Sequence, residues 1–300
     1  MTGFARRPSW TATPGALRRE VDRICGSPVV GSRDVHGGMS PGPAALLDLA
    51  DGRQVFVKAV SRDASIGSHR AYEREAATLA ALPAGAPAPE LFGCARVGGW
   101  LALVMSVAAG EAADPPWTAD GVRLVGAACA TIGSLAAPPT LPPIAALLTD
   151  LDGWERLTDR DEWEGRHAPA LVALASGWRA WTAGDRLVHQ DVRGDNAVVD
   201  RPGGRATLVD WSFGCAGAPW LDRARLAADI VCAGHRDGAA LAAAVEVLDT
   251  LPGEAVRFVA ALAGMWRYRS TLPALSGHPT LRGWQARRAI AIRPLLAALL

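Results

Sequence analysis

Apolar positions along the chain fall into two regimes. Between residues 28 and 107 they form short runs separated by glycine and other turn formers, at 28–30, 44–49, 54–60, 90–94 and 100–107. Runs of this length bounded by turn residues predict strands. Asp51 and Gly52 fall between two of them and predict a hairpin turn. Helical spacing interrupts the series twice. Leu17, Val21 and Ile24 share a face over residues 14–25, and Tyr72, Ala76 and Leu79 share one over 69–82, where Pro83 stops the helix. The first hundred residues therefore read as an antiparallel sheet with one inserted helix.

After a Gly- and Pro-rich linker at 110–116 the period changes. Helices are predicted at 121–136, 168–182, 219–232, 238–251, 253–268 and 281–300, with two short strands around Asn196 and Leu208 between them. The proline pairs at 138–139 and 142–143 break the chain into a loop. The pattern is that of an α+β, two-lobed fold: a small antiparallel β lobe over 1–108, led by a helix within 1–27, and a larger, mainly helical lobe over 109–300.

Composition narrows the function classes. Half the residues are hydrophobic, which excludes a disordered chain. The 31 basic and 30 acidic residues nearly cancel, and no basic block suggests a nucleic-acid partner. No run approaches the roughly 18 apolar residues of a membrane span. Arg6 and Arg7 have no apolar stretch behind them, so the expectation is a cytoplasmic protein without a secretory leader. Five widely spaced cysteines (Cys25, Cys94, Cys129, Cys215 and Cys232) without a CxxC pair read as buried thiols, not as disulfides or a zinc site.

The chemistry concentrates in residues 187–199. Asp191 and Asn196 stand five residues apart in a turn between two apolar runs, and the next short strand ends on Asp210. Magnesium-assisted phosphoryl transfer needs a carboxylate to take the proton of an attacking hydroxyl, and an amide oxygen and a second carboxylate to hold the metal on the triphosphate. Asp191 fits the first role; Asn196 and Asp210 fit the second. His189 reads as a brace for the loop through its ring nitrogens, with a proton shuttle as the other reading. Arg193 either reaches the transferring phosphoryl group or is a solvent-facing loop residue. Asp195 reads as a turn residue that could also join the metal site.

This order of residues resembles the aminoglycoside phosphotransferase-like (choline kinase-related) small-molecule kinases, which share the protein-kinase fold, over roughly residues 28–270. The resemblance implies ATP as phosphate donor, with GTP as the alternative, together with Mg2+ and a small-molecule hydroxyl acceptor, in a monomer or homodimer. It implies that Lys58 holds the α- and β-phosphates, and that Glu75 on the following helix pairs with it. Glu73 is the competing partner but points to another face. It places the loop 36–42, with Gly37 and Gly38, near phosphate, though Pro41 removes one amide donor. It places the backbone of Ser106 and Val107 against adenine. Asp222, in a segment like the family's Gly-x-Pro-x-x-Asp, either caps a helix or braces the catalytic loop. Three departures stand out: Gln190 where the family has Gly, Arg193 where it often has His or another polar residue, and Trp211-Ser212-Phe213 after the metal aspartate.

The acceptor is less constrained. Residues 150–164 hold seven acids, two arginines and two tryptophans. They read either as an acidic, aromatic surface for a cationic ring compound or as a solvated helix face. Trp266, Tyr268 and Arg269 either line the far wall or belong to the core. Two other classes remain open: a metal-dependent phosphohydrolase using His189, Asp191, Asp195 and Asp210, and a nucleotide-binding pseudokinase. A protein kinase is disfavoured by the absence of an Ala-Pro-Glu segment after Asp210.

Overall fold

The computed structural model describes residues 7–37, 40–113, 115–275 and 278–300. Helix α1 (Gly15–Cys25) buries Leu17, Val21 and Cys25 and ends at Gly26, whose φ of 66° suits glycine. Ile24 is only half-buried and rests over Gly93, where a Cβ would come within 2.9 Å of it. Strands β1 (Val29–Asp34), β2 (Ala44–Leu49) and β3 (Gln54–Ser61) precede helix α2 (Ile66–Ala81), and β4 (Leu91–Val97) and β5 (Trp100–Ser106) follow it. They form one antiparallel sheet in the order β1-β2-β3-β5-β4. Alternation along β3 decides what faces where. Val55, Val57 and Ala59 pack with Leu17, Val21 and Trp10 on one side. Val60 packs with Tyr72, Ala76 and Leu79 of α2 on the other, and that core runs on into the second lobe. Lys58 shares this second side.

The second lobe opens with β6 (Glu111–Ala112) and α3 (Ala119–Ser134), followed by α4 (Ile144–Leu147), α5 (Gly153–Arg156), α6 (Glu162–Ala175) and α7 (Trp178–Trp181). Strand β7 (Arg186–Val188) leads into the loop singled out above, and β8 (Ala197–Asp200) and β9 (Arg205–Leu208) form the hairpin after it. Strand β10 (Cys215–Gly217) pairs with β7. Helices α8 (Leu221–Ala233), α9 (Ala240–Asp249), α10 (Glu254–Ser270), α11 (Leu281–Ala291) and α12 (Arg293–Leu299) complete the chain. The residues of α10 from Phe258 to Trp266 are almost all buried, which makes it the axis of this lobe.

Several boundaries differ from the sequence pattern, each for a local reason. Helix α2 starts before residue 69 because Ser65 caps it, its hydroxyl accepting the Ser68 N–H at 3.1 Å. The helix expected over 168–182 is two helices. A capping box starts α6 earlier, with Asp161 Oδ1 accepting the Glu164 N–H at 2.9 Å and Glu164 Oε2 accepting the Asp161 N–H at 3.0 Å. Gly177, at φ 70°, then separates α6 from α7. The helix expected over 281–300 breaks at Ile292, ahead of Pro294. The linker at 110–116 contains β6, which pairs with β8. Among the cysteines, all free, Cys25, Cys129 and Cys215 are buried and Cys94 and Cys232 half-buried. No described helix is long and apolar enough to cross a membrane.

The capping box gives the first test. Asp161→Ala removes the cap and a contact to Arg293. Urea unfolding is expected to show a loss of about 1 kcal/mol. An unchanged midpoint would mean that α6 does not depend on its cap.

Candidate active site

Lys58 sits on β3 with its side chain 10% exposed and forms a close ion pair with Glu75 of α2, whose side chain is 1% exposed. Its Nζ also lies 3.5 Å from Asp210 Oδ1 and 4.7 Å from the Tyr72 ring centroid. Burial works to lower the ammonium pKa, but the Asp210 and Glu75 carboxylates outweigh it and raise the value above the ordinary one. Burial drives Glu75 up to about 7 against the pull of Lys58, so the ammonium is the firmer of the two charges. Burial also pushes Asp210 up, and Lys58 and Arg193 more than offset it, holding the carboxyl below its ordinary value. Glu73 takes no part: its side chain is 43% exposed and lies 3.5 Å from His69 Nδ1.

The loop after β7 is held from several sides. His189 is fully buried, and the hydrogen bonds fix its form. The Asp191 N–H donates to Nδ1 at 3.2 Å, which leaves Nε2 to carry the hydrogen and donate to the Val209 carbonyl at 3.0 Å. Burial lowers its pKa, in keeping with a neutral ring. That ring also meets Trp211 edge-on at 4.6 Å. His189 is thus a brace with both nitrogens committed. Neither is free to bind a metal, which takes the nitrogen ligand out of the hydrolase arrangement.

Asp222 accepts the His189 and Gln190 N–H groups at 2.7 and 2.8 Å. It makes no cap for α8, so it is a loop brace. Gln190 has φ 73°, the left-handed region where glycine is at ease and glutamine is strained. About two turns further along α8, Asp229 accepts the Gly194 N–H at 3.0 Å. The sequence reading missed Asp229; a second aspartate seven residues after Asp222, on the same face of α8, was its signal.

Asn196 Nδ2 donates to the Asp191 carbonyl and to Asp191 Oδ2, both at 2.9 Å. Its own carbonyl accepts the Val209 N–H at 2.9 Å, which ties it to the residue before Asp210. Asp210 itself adopts φ 65° and ψ 64°. Lys58, Glu75, Asp191, Asn196 and Asp210 therefore belong to one connected cluster. Arg193 is not solvent-facing. Its side chain is 12% exposed, lying 3.0 Å from Asp195 Oδ1 and 3.7 Å from Asp191 Oδ2, and 5.5 Å from the Trp284 ring centroid. Burial works against its charge, but Asp191 and Asp195 outweigh it and raise the pKa.

Asp210 and the Asn196 Oδ1 offer hard oxygen donors, the chemistry Mg2+ prefers. Among the described residues no group of three or more His, Cys, Asp or Glu could hold a metal.

The remaining expected contacts fare unevenly. Ser106 donates its N–H to the Glu90 carbonyl and accepts the Glu90 N–H on its hydroxyl, both at 2.9 Å. That N–H is spent, so any adenine contact from Ser106 falls to its carbonyl; Val107, next along, is 36% exposed. Gly37 has φ 114°, and Gly38 lies outside the described residues. The loop is tied to the site through Ser40, whose Oγ lies 2.9 Å from the Tyr72 hydroxyl. Gly42 is required there, since a Cβ would fall 1.8 Å from the Ala59 carbonyl.

The acidic segment 150–164 is folded into the lobe by arginines. Asp150 bridges Arg156 and Arg269 at 2.5 and 2.7 Å. Buried Glu164 meets Arg267 and Arg293 at 2.7 and 3.0 Å. Trp154 is buried and donates to the Ala260 carbonyl at 2.7 Å, and Trp266 is buried as well. Glu155, Asp159, Asp161 and Glu162 remain exposed, so the segment combines buried ion pairs with a solvated acidic face.

The sequence profile of the Phosphotransferase enzyme family matches residues 45–257. No curated protein sequence matches. Among solved structures, a thermostable mutant of aminoglycoside phosphotransferase APH(4)-Ia, in ternary complex with ADP and hygromycin B, aligns with a TM-score of 0.58 at 16% identity, over 93% of this chain and 98% of that one. An aminoglycoside phosphotransferase from Alicyclobacillus acidocaldarius aligns at 0.51 and 16% identity, over 96% and 95%. APH(3'')-Id from Streptomyces rimosus, with ADP and streptomycin, aligns at 0.53 and 18% identity, over 83% and 98%. At these identities the likeness is one of fold, and it confirms the two-lobed, kinase-like arrangement.

The neutral, buried His189 makes stability depend on pH. An ordinary histidine titrates at 6.5 and the folded one lower, so the unfolded chain binds a proton that the folded chain refuses. The stabilisation is complete above pH 6.5 and is lost as pH falls from there towards the folded value. Urea unfolding at a series of pH values is expected to show a smaller loss in this window for His189→Asn than for the wild type. Parallel curves would contradict a neutral native ring.

Proposed function

The chain belongs to the Phosphotransferase enzyme family, and from that premise we propose that it moves the γ-phosphate of ATP to a hydroxyl of a small molecule. The observation that carries this reading is the convergence of one cation and four polar groups: Lys58, held by Glu75, beside Asp210, and Asp191 joined to Asn196. A phosphohydrolase has no use for the buried Lys58–Glu75 pair, and a pseudokinase would lack one of these groups.

In the proposed reaction Lys58 holds the α- and β-phosphates. Magnesium held by Asp210 and Asn196 would neutralise charge on the β- and γ-phosphates. Asp191 orients the acceptor hydroxyl and takes its proton as the oxygen bonds to the γ-phosphorus. The bond from that phosphorus to the bridging oxygen breaks, and ADP leaves. Arg193, beside Asp191, is placed to offset charge on the transferring group. Location in the cytoplasm, where ATP is available, is part of the same proposal.

The solved neighbours described with hygromycin B and streptomycin bind aminoglycosides. In this chain Asp150, Asp161 and Glu164 each pair with arginine, while Glu155, Asp159 and Glu162 stay exposed. An aminoglycoside-like compound and a sugar or related metabolite both fit such a surface as acceptor. ADP release measured over a panel of hydroxyl acceptors tests the reading. The acceptor that stimulates release is expected to lose a factor of about 10²–10⁴ in kcat with Asp191→Ala. Undiminished turnover by that variant would remove Asp191 as the base.

A further inference from the structure

The loop that carries Asp191 is also gripped by a helix outside the family-matching stretch. Trp284 and Arg288 lie on α11, beyond residue 257 where that match ends. Arg288 forms a close ion pair with Asp229, the carboxylate that accepts the Gly194 N–H at 3.0 Å and the Trp117 indole N–H at 3.0 Å. Asp229 is 1% exposed, so removing Arg288 would leave a buried carboxylate without its cation. The Arg288 guanidinium also lies 4.7 Å from the Trp284 ring centroid and 5.5 Å from that of Trp266. The Arg193 guanidinium lies 5.5 Å from the same Trp284 ring. Trp266 in turn meets Trp284 edge-on at 6.1 Å.

Two lines of contact thus run from α11 into the loop. One passes through Trp284 to Arg193, and so to Asp191, Asp195 and Asn196. The other passes through Arg288 and Asp229 to the backbone of Gly194. Arg193 has a long side chain with several rotamers, which its pairing with Asp195 narrows. A large, half-buried aromatic ring narrows them further at little entropic cost, since it brings few rotamers of its own.

We propose that Trp284 and Arg288 are positioning residues: they set the placement of Arg193 and Gly194 and, through them, of Asp191. The kinetic side of this rests on the phosphotransfer reading; the structural side does not. The test uses the full chain with Trp284→Ala, Trp284→Phe and Arg288→Gln. The control is Gln285→Ala, a buried neighbour on α11 whose side chain bonds Arg282 at 3.0 Å. Hydrogen–deuterium exchange of a peptide spanning 189–197 is read beside kcat and the KM for ATP.

Trp284→Ala and Arg288→Gln are expected to speed exchange in that peptide. They should also lower kcat about ten- to hundredfold, the scale of a small misplacement of reacting groups, with the KM for ATP held within about twofold. Trp284→Phe should recover most of both, and Gln285→Ala should move neither, whatever it does to the melting temperature. The proposal is overturned if the peptide exchanges at the wild-type rate in both Trp284→Ala and Arg288→Gln, or if Gln285→Ala reproduces their effects. Absence of ATP turnover in the wild type with every acceptor would instead sink the phosphotransfer reading, and the exchange data would still decide whether α11 positions the loop.

Discussion

A buried ammonium must be paired or give up its charge. Lys58 answers that constraint with two carboxylates from different parts of the chain: Glu75 from the helix packed on its own sheet, and Asp210 from the helical lobe. The rest of the site follows. The sheet has to present Lys58 on its α2 side, which the alternation of β3 provides. Helix α2 has to be anchored, at its start by the Ser65 cap and near its middle by Arg74, whose Nε donates to the Ser212 carbonyl at 3.3 Å. The β8–β9 hairpin then has to deliver Asp210 to the same place. Taking either carboxylate away would weaken a charge pair and would also loosen the contact between the lobes.

The opposite side of the site solves a different problem, that of holding an irregular loop rigid. Gln190 and Asp210 both adopt left-handed backbone conformations, each costing on the order of 1–3 kcal/mol. Such strain persists only where surrounding bonds over-determine the chain. Here Asp222 binds two loop amides, Asp229 binds a third, and the neutral His189 ring links the loop to Val209 beside Asp210. Hydrogen bonds to charged groups are worth about 1.5–3 kcal/mol each, enough to offset the strain. The result is a base, an amide and a second carboxylate whose relative positions depend little on side-chain freedom.

Much of this was legible in the sequence because it is local. Asp191, Asn196 and Asp210 sit at strand ends with fixed spacing, and the order Lys58, Glu75 and then Asp191 constrains their meaning jointly. The choice of Glu75 over Glu73 followed from the resemblance of residues 74–79 to the family's Arg-Glu helix, with helix geometry putting Glu73 on another face. What could not be read depends on partners far along the chain. Asp150 and Glu164 looked available because arginines that pair with them, Arg267, Arg269 and Arg293, come more than a hundred residues later. Asp229, Trp284 and Arg288 carry no motif, and only packing brings them to the loop. The Ser106 amide looked free because its partner, Glu90, belongs to a neighbouring segment. The helix starts at Ile66 and Glu162 were missed because caps, not apolar periodicity, set them.

The most direct test of the account is nucleotide binding by calorimetry, with and without magnesium, for the wild type and for Lys58→Met. Methionine keeps most of the length of the lysine stem and removes the charge. If Lys58 grips the triphosphate, the wild type should bind ATP more tightly with magnesium than without, and Lys58→Met should lose at least about tenfold in affinity, the equivalent of roughly 1.4 kcal/mol. Equal affinities for the two proteins, or no ATP binding by the wild type with magnesium present, would contradict it.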